Sequence, residues 1–147
     1  MSVADPAVSR RKFEREVGQL RAIENTLVSR GWWLMAAAFP FVKVGFATAN
    51  LRPVMIPFAV RADFTEYDVL PLAIAFVDPF TDRELMPVEM MTKLRRLLPA
   101  PPAAPDEPPP AVRQVVELYQ HYGQFPQSPG FLCLPGTRAY HAHPGHT

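Results

Sequence analysis

The stretch from Trp32 to Ala49 is the longest apolar run in the chain, and Pro40, Lys43 and Gly45 interrupt it. That combination constrains the fold more than any other feature. The run is short for a bilayer and carries a charge at its centre, which opposes a membrane-spanning helix. It is aromatic and apolar without helical spacing, and a proline divides it. The reading is one bent strand or two successive strands, forming a buried hairpin.

The flanking segments have clearer periods. Phe13, Val17, Leu20, Ile23 and Leu27 recur at spacings of three and four, which predicts a helix over residues 7–30. Asp5-Pro6 supplies an N-cap and an N1 proline, and Gly31 supplies the stop. After a turn at Asn50-Leu51-Arg52-Pro53, Met55 to Phe64 alternates. Phe58, Val60, Ala62 and Phe64 fall on one face, with Arg61 and Asp63 on the other. Leu72 to Val77 is fully apolar and is expected to be an internal strand. Pro87 to Leu98 carries Val88, Met91, Leu94 and Leu98 at near-helical spacing, and Val112 to Tyr119 does the same, ended by Gly123. Both are expected to be helices. Between them, residues 99–110 hold seven of the eighteen prolines and read as an exposed insertion. Trp32-Trp33 is expected to anchor the sheet against the first helix. Asp78 and Asp82 read as turn residues.

The order is helix, antiparallel meander, further helices and a terminal loop, which is an α+β architecture in a single domain, 1–147. Chain length and a hydrophobic content of 48% suit one ordinary core. A formal net charge of +1, with scattered basic residues, gives no electrostatic case for nucleic acid or an anionic membrane. A single cysteine excludes an internal disulfide and favours a reducing compartment. Arg10-Arg11-Lys12 leads into an amphipathic rather than an apolar segment, so a cytoplasmic protein is expected. No glycine-rich phosphate loop, Gly-x-Ser-x-Gly or internal repeat is present.

The chemistry concentrates in residues 130–147. Cys133 is the only cysteine, and His141, His143 and His146 are three of the four histidines. In an extended backbone His141 and His143 point the same way, and Pro144-Gly145 can turn the chain to bring His146 back. With Cys133 these make a candidate tetrahedral Zn²⁺ set of one sulfur and three nitrogens. Alternatively, Cys133 is a loop nucleophile whose proton a histidine accepts, or a small buried hydrophobe. The residues leave these readings open.

Phe64-Thr-Glu-Tyr67-Asp-Val-Leu-Pro71-Leu-Ala-Ile-Ala-Phe76 resembles the Tyr-Pro…Pro-Pro-x-Val-x-Phe stretch of E2 ubiquitin-conjugating enzymes, and Gly130-Phe-Leu-Cys133-Leu resembles their Gly-x-Ile-Cys-Leu active-site segment. Cys133-Leu-Pro-Gly-Thr-Arg-Ala-Tyr-His141-x-His143-Pro-x-His146 is similar to a bacterial family of predicted metal-binding proteins named for Cys, Glu, His and His, associated with ubiquitin-like conjugation operons. The resemblance implies an E2-like fold in which Cys133 takes the acyl terminus of a ubiquitin-like protein from an E1-like enzyme. It also implies that His141, His143 and His146 bind zinc or assist proton transfer. The alternative is a non-catalytic zinc-binding module or adaptor of the same pathway. The chain departs from both patterns. No His-Pro-Asn precedes Cys133, Ala139 stands where a glutamate is expected, and residues 85–127 form an insertion. E2 folds continue with helices after the cysteine, so a chain cut short at Thr147 is the expectation.

Overall fold

The computed structural model describes residues 4–48, 50, 52–90, 92, 94–98, 115–121 and 130–143. Helix α1 spans Pro6–Ala22. Asp5 caps it, its carboxylate accepting from the Ala7 amide at 2.8 Å, with Pro6 at the first helical position where no N–H is needed. The single predicted helix is two. Ile23 leaves the helical region at φ −110°, ψ 14°, and its amide turns back to the Leu20 carbonyl at 3.3 Å, which closes a tight last turn. Helix α2, Glu24–Ser29, follows. Gly31 then takes φ +80°, a conformation that favours glycine, and its amide bonds the Val28 carbonyl at 2.9 Å.

The apolar run forms a hairpin of two successive strands, but not a buried one, since no residue of its first strand, Trp32–Ala38, is fully buried. Strands β1 (Trp32–Ala38) and β2 (Phe41–Phe46) turn at Pro40 and are followed by β3 (Phe58–Asp63) and β4 (Ala73–Val77). The sheet order is β1-β2-β3-β4, antiparallel throughout. Register sets the faces, because directly paired residues share one. Val42, Val44 and Phe46 lie opposite Ala62, Val60 and Phe58, and Val60 lies opposite Phe76. This face carries two buried clusters. Phe13 and Val17 of α1 pack on Val42 and Phe64, while Phe58 and Phe76 gather Leu85 and Tyr119.

On the other face, Gly45, Ala59 and Val77 align, and Ala59 and Val77 are wholly buried. Beside them Lys43 donates to the Pro79 carbonyl at 3.0 Å and pairs with Asp82 at 3.0 Å. The turn these groups hold contains both predicted turn aspartates. Asp78 accepts from the Phe80 and Thr81 amides, and Asp82 sits at φ 60°.

Three further expectations need correction. Strand β4 is the last of the meander rather than internal to it. Its apolar character serves the packing of Phe76 against Tyr119, whose rings meet edge-on at 4.8 Å, and the burial of Val77. Neither predicted helix beyond it forms in the described residues. Pro87–Glu89 is a single 3₁₀ turn. Beyond it Arg95–Leu97 (β5) pairs with Val115–Glu117 (β6), and Tyr119–His121 (β7) pairs with Gly130–Leu132 (β8). Spacing over so few apolar residues does not distinguish helix from strand, and the Val-rich composition favours strand. Trp32 and Trp33 do not seal the sheet against α1, being 39% and 45% exposed. The Pro-rich stretch 99–110 lies outside the described residues.

Phe13 meets Phe39 at 5.6 Å and Phe64 at 5.3 Å, both edge-on, and is buried. Phe13→Ala is expected to cost about 3–5 kcal/mol in urea unfolding. A loss below about 1 kcal/mol would show that α1 is not the lid of this core.

The 3₁₀ turn makes a pH-dependent contact. Arg83 grips Glu89 at 2.7 Å and the Met86 amide donates to it at 2.8 Å, which holds the Glu89 carboxyl down at about 2. A depressed carboxylate contributes above its unfolded pKa and is lost as pH falls through the folded value. The turn should therefore stay closed through the ordinary carboxylate range and open only near pH 2. Carboxyl NMR titration should show this, with Glu89 returning to the usual range in Arg83→Ala. An unchanged Glu89 in that variant contradicts the assignment.

Candidate functional site

The segment carrying Cys133 is built from β8, a tight turn and a short helix, α3 (Arg138–Ala142). Strand β8 lies on β7 with Tyr119 opposite Leu132 and His121 opposite Gly130. Gly130 is required by close approach. A β-carbon there would collide with the Tyr119 ring and hydroxyl. Tyr119 is buried, with its ring against Gly130. Burial pushes its phenol pKa up, an effect that the nearby Gly130 amide partly opposes.

Cys133 follows β8 directly. Its amide donates to the Leu118 carbonyl at 2.7 Å, and the residue is half-buried. Pro135-Gly136 makes a tight turn, with Gly136 at φ +91°. Thr137, buried, then closes the loop. Its hydroxyl lies 3.0 Å from the Leu132 carbonyl and 2.8 Å from that of Leu134, and its oxygen accepts from the Tyr140 amide at 3.4 Å as the cap of α3. One side chain thus ties the residues before and after Cys133 to the start of the helix.

Arg138 fastens this loop to the meander. Its amide donates to the Leu72 carbonyl at 2.8 Å, and Thr137 bridges Leu72 in parallel. Its guanidinium reaches the Pro71 carbonyl at 3.2 Å and the Glu66 carboxylate at 2.9 Å. Glu66, Pro71 and Leu72 all belong to the segment between β3 and β4.

The histidines are arranged differently from the extended ladder that their spacing suggests. His141 lies in α3 and is exposed. His143 is the C-cap residue, back in an extended conformation, with its ring 6.2 Å from that of Phe131. A helical turn rotates successive side chains by roughly 100°, so the pair no longer shares a side. His146 lies outside the described residues, and among those described no three His, Cys, Asp or Glu side chains converge as a metal-ligand group. Ala139 is the second residue of α3. His121 is exposed on β7 rather than ending a helix. The Thr137 cap and the Arg138 clamp were not anticipated. Thr137 had a local signal, a threonine after Pro-Gly and before five residues without a helix breaker. Arg138 had none, because its partners are more than sixty residues away.

This chain belongs to the Y4jH-like family, whose family model, described as the Y4jH family, matches residues 4–147. It is 32% identical over 155 residues to a Sinorhizobium fredii (strain NBRC 101917 / NGR234) protein called "Uncharacterized protein y4jH", in an alignment covering 100% of this chain and 73% of that relative.

Arg138→Ala should remove both guanidinium contacts while leaving the main-chain bond to Leu72. With side chains that are 31% and 45% exposed, the pair itself contributes little, and a loss of about 1 kcal/mol is expected. The sharper readout is hydrogen exchange. Protection of the Cys133 and Arg138 amides should fall in Arg138→Ala and fall less in Glu66→Gln. Unchanged protection in both would show that the clamp does not hold the loop.

Proposed function

We propose that this protein carries the C-terminal acyl group of a ubiquitin-like protein as a thioester on Cys133, accepting it from an E1-like enzyme. One observation carries the reading. The two stretches that resemble E2 enzymes, around Tyr67 to Pro71 and around Cys133, are far apart in sequence yet are joined by Arg138 to Pro71 and by Thr137 to Leu72. Helix α1 precedes the meander, the first stretch joins β3 to β4 within it, and Cys133 follows it, in the order an E2-like fold uses. A half-buried thiol on a loop held at both ends suits an acceptor that must meet a large partner without losing its geometry.

The step is a thioester exchange. The Cys133 sulfur attacks the acyl carbon, its bond forms as the bond to the E1 sulfur breaks, and the thiol proton ends on the departing cysteine. Bond types are conserved, so the exchange needs chiefly an accessible thiolate and a docking surface. The partners are the E1-like enzyme and the ubiquitin-like protein. The net charge of +1 supports neither nucleic acid nor an anionic surface as a partner, and no described helix is long and apolar enough to cross a membrane.

A second reading rests on the return of His143 to the strand that leads into Cys133. In it, Cys133, His141, His143 and His146 hold Zn²⁺ and the module is not catalytic. The two readings oppose each other at the sulfur, because a zinc-bound thiolate is a poor free nucleophile.

With the E1-like enzyme, ATP and the ubiquitin-like protein, an adduct should form on Cys133. It should be cleaved by thiol reductant, be absent in Cys133→Ala, and persist in Cys133→Ser as a reductant-resistant oxyester. If the E1-like enzyme charges itself and no Cys133-dependent adduct appears, the carrier reading fails. Anaerobic metal analysis with thiol titration before and after chelation then decides the zinc reading. About one equivalent of Zn²⁺, lost in the triple His→Ala variant, is the result it requires.

A further inference from the structure

Strand β1 ends the meander on the side away from β4, and among the described residues no strand pairs with its outer edge. Proteins usually guard such an edge with charged side chains. From Gly31 to Val42 this chain has none. Instead it exposes Trp32 at 39%, Trp33 at 45% and Phe41 at 44%. Trp32 leans on Phe46, their rings 5.4 Å apart, yet both tryptophans keep more than a third of their surface open on this margin.

We propose that this edge is a homodimer interface, in which β1 of two copies pairs antiparallel about a twofold axis near Met35 and Ala36. The register follows from the bulge. In an unbroken strand, residues 33 and 38 would point to opposite faces. Here the register of β1 on β2 slips between Leu34 and Ala36. Trp33 lies opposite Gly45 and Ala38 opposite Phe41, both odd-numbered positions on one face of β2. Leu34 and Ala37 lie opposite Val44 and Val42 on the other face. A second copy placed with Trp33 against Ala38 and Leu34 against Ala37 therefore matches face to face at every flanking pair.

That register is also complementary in size. The strand is bulky in its first half, Trp-Trp-Leu-Met, and all alanine in its second, so about the twofold Trp33, Leu34 and Met35 each meet an alanine, while Trp32 meets Phe39 at the end of the ladder. A tryptophan facing a tryptophan would be crowded; a tryptophan facing an alanine has room. The bulge, which elsewhere discourages edge pairing, here makes self-pairing consistent in both faces. Two short strands meeting edge to edge bury well under the roughly 1,000 Å² of a strong interface, so the dimer is a concentration-dependent one.

Sedimentation equilibrium of the full chain under thiol reductant, which excludes a Cys133 disulfide, tests this. Wild type should show reversible monomer–dimer behaviour. Ala38→Trp should be monomeric through collision with Trp33 of the second copy, and Ala38→Lys should be monomeric through charge on the edge. Because Ala38 is exposed, both should keep the wild-type circular dichroism. The size-swapped Trp33→Ala/Ala38→Trp double variant should dimerise again, since it restores one large and one small residue at each pair. A wild type that stays monomeric up to its solubility limit overturns the proposal. A dimer that survives Ala38→Lys, or a swapped variant that fails to re-form one, also overturns it.

Discussion

The segment from Phe64 to Leu72, between β3 and β4, is the joint on which both halves of the molecule depend. Its polar groups are met from two directions. From α1, the buried Ser9 hydroxyl accepts from the Asp68 amide at 3.2 Å, and Lys12 donates to the carbonyls of Tyr67 and Asp68. From α3, Arg138 takes Glu66, Pro71 and Leu72. A loop with so many main-chain groups turned inward is stable only if each finds a partner, and here two helices supply them. Tyr67 completes the joint by packing edge-on against Phe64, which itself meets Phe13. The aromatic core under α1 and the cysteine loop are thus coupled through one turn.

The sheet divides its labour by face. The face carrying Val42, Val44, Val60 and Ala62 buries apolar surface, and α1 and the Tyr119 cluster cover separate parts of it. Beside α1 a groove of about 410 Å³ remains, lined by Leu20 and Ile23 and by Val44, Val60 and Leu72. The opposite face satisfies charge instead. Lys43 and Arg61 stand side by side on β2 and β3 and are met by Asp82 and Glu84 from the turn after β4. That turn is pinned by Asp78, whose pKa is lowered by the Thr81 and Phe80 amides it accepts. Partly exposed ion pairs of this kind add little stability, but they fix where the chain goes after β4 and so where β7 and β8 can lie.

How much was legible in the sequence follows from the range of each signal. The start of α1 could be read because Asp5, Pro6, Phe13 and Val17 act within a few residues of one another. The β1–β2 hairpin could be read because Pro40 interrupts an apolar run, and β3 because its alternation is sustained. Strands of three residues, such as Arg95–Leu97 and Val115–Glu117, carry no period at all, and their apolar residues imitate a helical stripe. The site was legible as a cluster but not as a geometry. Spacing placed His141 and His143 on one side only under the assumption of an extended chain, and the Thr137 cap makes that stretch a helix. The Glu66–Arg138 contact spans 72 residues and has no local trace.

The same construction bears on which chemistry Cys133 performs. A ligand set drawn from a single short segment gains affinity when that segment can adjust to the ion. This segment is already committed: Thr137 holds both sides of the turn, Arg138 is fastened to the meander, and the Cys133 amide is spent on Leu118. Such preorganisation suits a thiol presented to a macromolecular partner, because little ordering remains to be done at the moment of transfer. It favours zinc only if the fixed loop already aims its donors at one point. In the described residues the helix turns His141 outward to solvent while His143 returns towards Phe131. The balance between carrier and metal module therefore turns on the backbone conformation of α3, a five-residue helix whose cap is one threonine.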